Sequence, residues 1–157
     1  MSTLRAEVAA FIDLEADMLD FNQYREWLDL WEPDGVYVVP IDRETEDFAN
    51  TLNFAYDKAE MRSLRVARLL SGDAISTQTT YKTVRSVSRL RILAEDGDTV
   101  KARCSQFIAE NRHGNLKTYP ADVTFTLRRS GDGFRMVEKV VRLLNADHHL
   151  SSIGYIL

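Results

Sequence analysis

Four long β-type runs, Tyr81–Leu93, Thr99–Arg112, Thr118–Arg129 and Phe134–Leu144, occupy most of the second half of this chain and restrict its fold more than any other feature. The segments between them are Glu95-Asp96-Gly97-Asp98, His113-Gly114-Asn115 and Ser130-Gly131-Asp132-Gly133. Each is short enough for a hairpin, so the four strands are expected to pair antiparallel as a meander. Along two of them apolar side chains alternate with polar ones: Val100, Ala102, Cys104 and Ile108, then Val123, Phe125 and Leu127. Successive side chains of a strand point to opposite faces, so one face of this sheet should be buried and the other polar.

A buried face needs a cover, and the first half of the chain supplies it. Leu4, Val8, Phe11, Ile12 and Leu19 fall mostly at helical steps and predict a helix from about Thr3 to Asp17 or Leu19. Tyr24, Trp27, Leu28 and Trp31 predict a short second helix, ended by Pro33 and forming a hairpin with the first. Glu32-Pro33-Asp34-Gly35 has the residues of a type I turn and leads into a strand over Val36–Ile41. The acidic, aperiodic stretch Asp42–Tyr56 reads as an exposed connection with room for one helical turn. Asp57 and Glu60 stand at capping-box spacing before a helix over Lys58–Leu70, and Gly72 is placed to end it. Arg62, Arg65 and Arg68 share one side of that helix. The expectation is a single α+β domain spanning residues 1–157, with helices segregated to one side of a strongly bent antiparallel sheet.

At 157 residues such a domain buries enough surface to need neither disulfides nor a structural metal. The lone Cys104 agrees, since it can form no bridge within the chain. Twenty Lys and Arg against 24 Asp and Glu give a net charge of −4, which argues against nucleic acid as the main partner. No apolar run approaches the roughly 18–20 residues that cross a bilayer, and Met1–Asp13 lacks the apolar block of a secretory signal. A cytoplasmic location is expected.

No nucleotide-binding glycine motif is present, and Gly131-Asp132-Gly133 lies between strands instead of opening a helix. Adjacent His148 and His149 diverge on either a strand or a helix and have no third ligand at a recognisable spacing. Cys104 falls on the apolar side of its strand, where a thiol is inert. Acid–base chemistry has candidates in Tyr24, Tyr37, Asp42, Asp57 and Arg85, which helices over a curved sheet could enclose in a pocket, although no spaced acid–base pair stands out. Capping, salt bridging or solvation explains each equally well. Arg85, Arg89 and Arg91 share one side of an extended segment, which suits a solvated face or a protein interface.

Several local runs, in their order, resemble the small (β) subunit of aromatic-ring-hydroxylating dioxygenases. The first is Glu15–Trp31 with Gly35–Ile41, similar to that family's helix pair and following strand. The second is Tyr56-Asp57-Lys58 running into Leu64-Arg65-Val66-Ala67-Arg68-Leu69, and the third is Phe134–Leu144 with the closing Leu150–Leu157. The chain departs from the family where many members carry an Arg- and His-containing run, reading Thr80–Ser88 with Arg85 near the expected His.

The resemblance implies the cone-shaped fold of nuclear transport factor 2, scytalone dehydratase and ketosteroid isomerase, also called cystatin-like. It implies a noncatalytic subunit that forms a homotrimer and joins the large (α) subunit in an α3β3 hexamer, where it scaffolds the complex. The Rieske [2Fe-2S] cluster and mononuclear non-heme iron would reside in the large subunit. This chain's single Cys agrees, because a Rieske centre takes two Cys and two His. The competing reading is a stand-alone isomerase, dehydratase or ligand-binding protein on the same fold, and it depends on the pocket candidates above. The Arg85–Arg91 strand and the C-terminal tail are the expected contacts between copies.

Overall fold

The computed structural model describes residues 3–71, 81–145 and 154–157. The chain runs α1 (Thr3–Asp20), α2 (Tyr24–Leu28), β1 (Trp31–Pro40), β2 (Asn53–Asp57), α3 (Ala59–Leu70), β3 (Tyr81–Asp96), β4 (Thr99–Arg112), β5 (Asn115–Ser130) and β6 (Gly133–Leu143), with a 3-10 turn at Phe48–Asn50. Six strands form one bent, open sheet in the order β2-β1-β6-β5-β4-β3. The predicted meander is present: β3 to β6 pair antiparallel in sequence order. Its inward positions alternate strictly along β5, from Tyr119 through Ala121, Val123, Phe125 and Leu127.

The sheet is mixed instead of purely antiparallel, because β1 lies parallel to β6. That pairing follows from the intervening meander, which leaves β6 in the middle of the sheet with a free edge for β1 to occupy. The predicted connection Asp42–Tyr56 contains the edge strand β2, which pairs antiparallel with β1. Only five residues long, β2 gives too little alternation to stand out from its acidic surroundings.

α1 buries Val8, Phe11, Ile12, Ala16 and Leu19 over β3 and β6. Fully burying one such aliphatic or aromatic side chain stabilises by about 1.5–3 kcal/mol, so this stripe is a main tie between helix and sheet. α2 is shorter than predicted, ending at Leu28, and Trp31 already belongs to β1. Trp27 and Trp31 still meet edge to face, with ring centroids 5.6 Å apart.

The expected turn at Glu32–Gly35 is instead an irregularity within β1, where the register against β6 shifts between Trp31 and Val36. Gly35 is required there, since a Cβ would stand 2.7 Å from the Trp31 ring and 2.9 Å from the Met136 carbonyl. The predicted capping box is absent. Lys58 occupies the N-cap with no side-chain hydrogen bond, because Asp57 is the last residue of β2 and its carboxylate is committed to Arg65. Gly72, His148 and His149 lie outside the described residues.

A further correction concerns the arginines of β3. A bulge between Ser88 and Arg91 breaks the alternation, and Arg89 adopts the left-handed backbone conformation with φ 55°. Arg85 therefore points into the core, whereas Arg91 lies on the outer face, between Leu90 and Ile92 that pack inward.

Candidate functional site

The sequence-derived candidates Tyr24, Arg85, Asp57, Asp42 and Tyr37 fall in four separate places. Tyr24 opens α2 and is buried, its hydroxyl donating to Asn22 Oδ1 at 2.9 Å, and burial raises its pKa. Arg85 is buried on β3 and forms an ion pair with Asp20, the last residue of α1. The Arg85 guanidinium also donates to the Ile156 carbonyl, and its backbone N–H donates to Asp20 Oδ2 at 2.8 Å. Tyr24 and Arg85 thus line one cleft of about 630 Å³, together with Asp20, Thr83 and Tyr155.

Asp57 and Asp42 are elsewhere. Asp57 is buried at the end of β2 and receives Arg65 through two contacts, Nε at 2.5 Å and Nη2 at 3.1 Å. Such a bidentate pair fixes α3 against the sheet and leaves the carboxylate engaged. Asp42 is exposed after β1, where Oδ1 accepts from the Glu44 N–H at 3.0 Å in a local turn. Neither approaches Tyr24 or Arg85 closely enough to share their cleft.

The centre of the cone holds a polar network that sequence reasoning missed. Lys139 on β6 and Glu15 on α1 are 0% and 1% exposed, and they pair at 2.6 Å. Trp27 Nε1 donates to the same Glu15 oxygen at 2.9 Å, and Lys139 donates to the Leu157 carbonyl at 2.8 Å. The Leu157 N–H donates in turn to the Tyr37 hydroxyl at 2.9 Å. Burial lowers the Lys139 pKa against the opposing pull of Glu15, and burial pushes Tyr37 up to about 12. Residues 155–157 are therefore seated inside the cone, gripped by Lys139, Tyr37 and Arg85.

Glu15 did carry a signal, since it continues the helical stripe of Phe11, Ile12 and Leu19. Lys139 carried none. The β5–β6 register shifts between Thr126 and Leu127, so the inward set changes from Phe134 and Met136 to Lys139, Val141 and Leu143. Uninterrupted alternation would have turned Glu138 inward instead.

This arrangement limits the chemistry available inside. Glu15, Asp20 and Asp57 each face Lys139, Arg85 or Arg65 within ion-pair distance, so each is engaged in a structural contact. Cys104 is buried and its thiol is pushed up to about 12, mainly by burial, which makes it a poor nucleophile and metal ligand. Among the described residues, no group of three His, Cys, Asp or Glu is placed to hold a metal ion. No described helix is long and apolar enough to cross a membrane.

The outer face of the sheet is different. Loop 41–52 crosses it and is fastened by Arg142, which donates to the Arg43 and Thr45 carbonyls at 2.8 and 2.7 Å. Arg43 and Arg89 both reach Asp122 on β5, each at 2.5 Å. Beside them lies a charged cleft of about 470 Å³ whose lining includes Lys101, Arg103 and Glu138. Partial burial raises the Glu138 pKa despite nearby Lys101.

Comparison with known proteins agrees with this geometry. The family described as "Ring hydroxylating beta subunit" matches residues 14–148. The small oxygenase component of the p-cumate 2,3-dioxygenase system from Pseudomonas putida is 29% identical over 137 residues, covering 86% of this chain and 76% of that protein. The β subunit of benzoate 1,2-dioxygenase from Burkholderia mallei superposes with a TM-score of 0.80 at 24% identity, over 96% of each chain. An NTF2-like protein with a cystatin-like fold from Novosphingobium aromaticivorans superposes with a TM-score of 0.64 at 19% identity, over 90% of this chain and 82% of that one. The last two likenesses concern the fold, which is the expected cone.

Proposed function

The chain belongs to the ring hydroxylating beta subunit family, and on that premise we propose that it is the noncatalytic, structural small subunit of an aromatic-ring-hydroxylating terminal oxygenase. The observation that carries the proposal is the family match over residues 14–148, which takes in α2, α3, all six strands and the C-terminal part of α1. In this role the chain forms a homotrimer and joins three large subunits in an α3β3 hexamer in the cytoplasm. The Rieske cluster and the mononuclear iron belong to the large subunit, which performs oxygen activation and ring hydroxylation during aromatic catabolism.

The physical contribution of the small subunit is positional. Electron transfer between centres on neighbouring large subunits depends on fixed geometry, and a symmetric base restricts their relative orientation. The paired interior supports a rigid support role, since Glu15, Asp20, Asp57, Arg85 and Lys139 are all tied between elements. Co-expression with a tagged large subunit tests the proposal. The untagged chain should co-purify in equal amount, with the iron tracking the large subunit. Failure to associate, or bound iron and ring hydroxylation by the isolated chain, would overturn it.

A second reading, a stand-alone isomerase, dehydratase or ligand-binding protein, rests on the cleft beside Tyr24 and Arg85. It requires that the isolated chain bind or turn over a small molecule and that Tyr24→Phe impair this.

A further inference from the structure

Inside the cone, Lys139 and Arg85 each meet one carboxylate, Glu15 and Asp20, and each directs a further donor at the main chain of residues 156 and 157. Arg85 donates to the Ile156 carbonyl, and Tyr37 accepts from the Leu157 N–H at 2.9 Å, so the two side chains hold one peptide group from both ends. Lys139 then donates to the next carbonyl, that of Leu157, at 2.8 Å. Side chains from β1, β3 and β6 thus converge on a single acyl–NH–CHR–carbonyl unit.

That unit is not part of the sheet. Residues 155–157 belong to no helix or strand, yet Tyr155, Ile156 and Leu157 are 6%, 1% and 5% exposed. They lie in the same apolar cluster as Phe125, Val141 and Leu143. Buried backbone groups are ordinarily satisfied by backbone partners in a helix or ladder. Here the partners are a lysine, an arginine and a tyrosine set among apolar walls, which is the composition of a small-molecule site. Burying such donors is costly unless their hydrogen bonds are met, so the interior requires an occupant with two carbonyl oxygens, an N–H and an apolar side chain.

We infer that the interior of the cone is a binding site for an N-acylated apolar amino acid, which the chain fills with its own residues 156 and 157. These residues leave while the sheet stays folded, because side chains and not ladder bonds retain them. N-acetyl-leucine carries every group required: an acetyl carbonyl for Arg85, an N–H for Tyr37, a carboxylate for Lys139 and the isobutyl group of Leu157. The site lies within one chain and is separate from assembly with a large subunit.

Thiol labelling of Ile156→Cys in the full chain tests the release, with the labelled peptide identified by mass. The thiol at position 156 should react about tenfold or more faster than the chain unfolds globally, the unfolding rate being taken from urea experiments. N-acetyl-leucine at about three times its dissociation constant for the open site should raise that labelling rate about fourfold, since it binds only the vacated interior. Labelling at the rate of global unfolding, or a rate that N-acetyl-leucine leaves unchanged, overturns the inference. Ile156→Lys/Leu157→Lys tests the site itself, because two further cations cannot be seated beside Lys139 and Arg85. With folding confirmed by circular dichroism, this variant should bind N-acetyl-leucine saturably in calorimetry, and the parent about tenfold or more weakly because its open form is minor. A folded variant that does not bind, or a parent that binds equally well, overturns the inference. Should the double variant fail to fold, the labelling experiment decides alone.

Discussion

Replacing Lys139 by Met tests the buried network directly. Its ammonium is inaccessible and serves both Glu15, at 2.6 Å, and the Leu157 carbonyl, at 2.8 Å. The variant leaves Glu15 with Trp27 Nε1 as its remaining hydrogen-bond donor and strands the Leu157 carbonyl. Removing one member of a buried pair costs about 3–5 kcal/mol, mostly because the survivor is left charged and unsolvated. For a chain of this size that corresponds to a fall in Tm of roughly 10 °C. Removing both charges in Glu15→Leu/Lys139→Met should cost less than Lys139→Met alone, since no orphaned ion remains. Urea unfolding at fixed subunit concentration, followed through Trp27 and Trp31 fluorescence, measures all three proteins. Lys139→Met costing under about 1 kcal/mol, or a double variant at least as damaged as Lys139→Met alone, would refute the reasoning.

Gly35→Ala should destabilise by about 1–3 kcal/mol in the same assay, because the added methyl meets the Trp31 ring and the Met136 carbonyl, neither free to move. Asp57→Ala should cost about 1.5–3 kcal/mol by leaving Arg65 unpaired, whereas exposed Asp42→Ala should stay within about 0.5 kcal/mol. Stability should fall as pH rises through the interval from 9 to 12: the folded Cys104 thiol, raised from 9.0 to about 12, keeps a proton that the unfolded chain releases. Tyr37, raised from 10.0 to about 12, adds to the same loss from pH 10 upward. A urea midpoint that stays flat from pH 8 to 11.5 would contradict that sign. Cys104 should also react with a thiol reagent only at the rate of unfolding, and prompt labelling of the folded chain would show that it is not buried.

Much of the cone was legible because its strands are long and regular. β4 and β5 run opposite each other from Thr99–Arg128 to Arg112–Asn115 without a register shift, so period-two alternation in the sequence translated directly into burial. The stripe on α1 worked for the same reason. Legibility failed at the irregularities. Shifts within β1, β3 and β6 moved Trp31 into a strand, sent Arg91 outward and turned Lys139 inward. Asp57 had the spacing of a cap but became a strand residue with an arginine partner eight positions on.

The sequence by itself determined the meander, the helical cover and the single inert thiol, and through its ordered blocks the family. Each depends on local periodicity or on counting residues, which no distant contact can alter. Only the tertiary structure decided that β1 runs parallel to β6, that Glu15 meets Lys139 across 124 positions, and that residues 155–157 fill the cone. Such pairings depend on bulges and chain crossings, where one extra residue reverses the face a side chain occupies, and the linear pattern does not record the reversal.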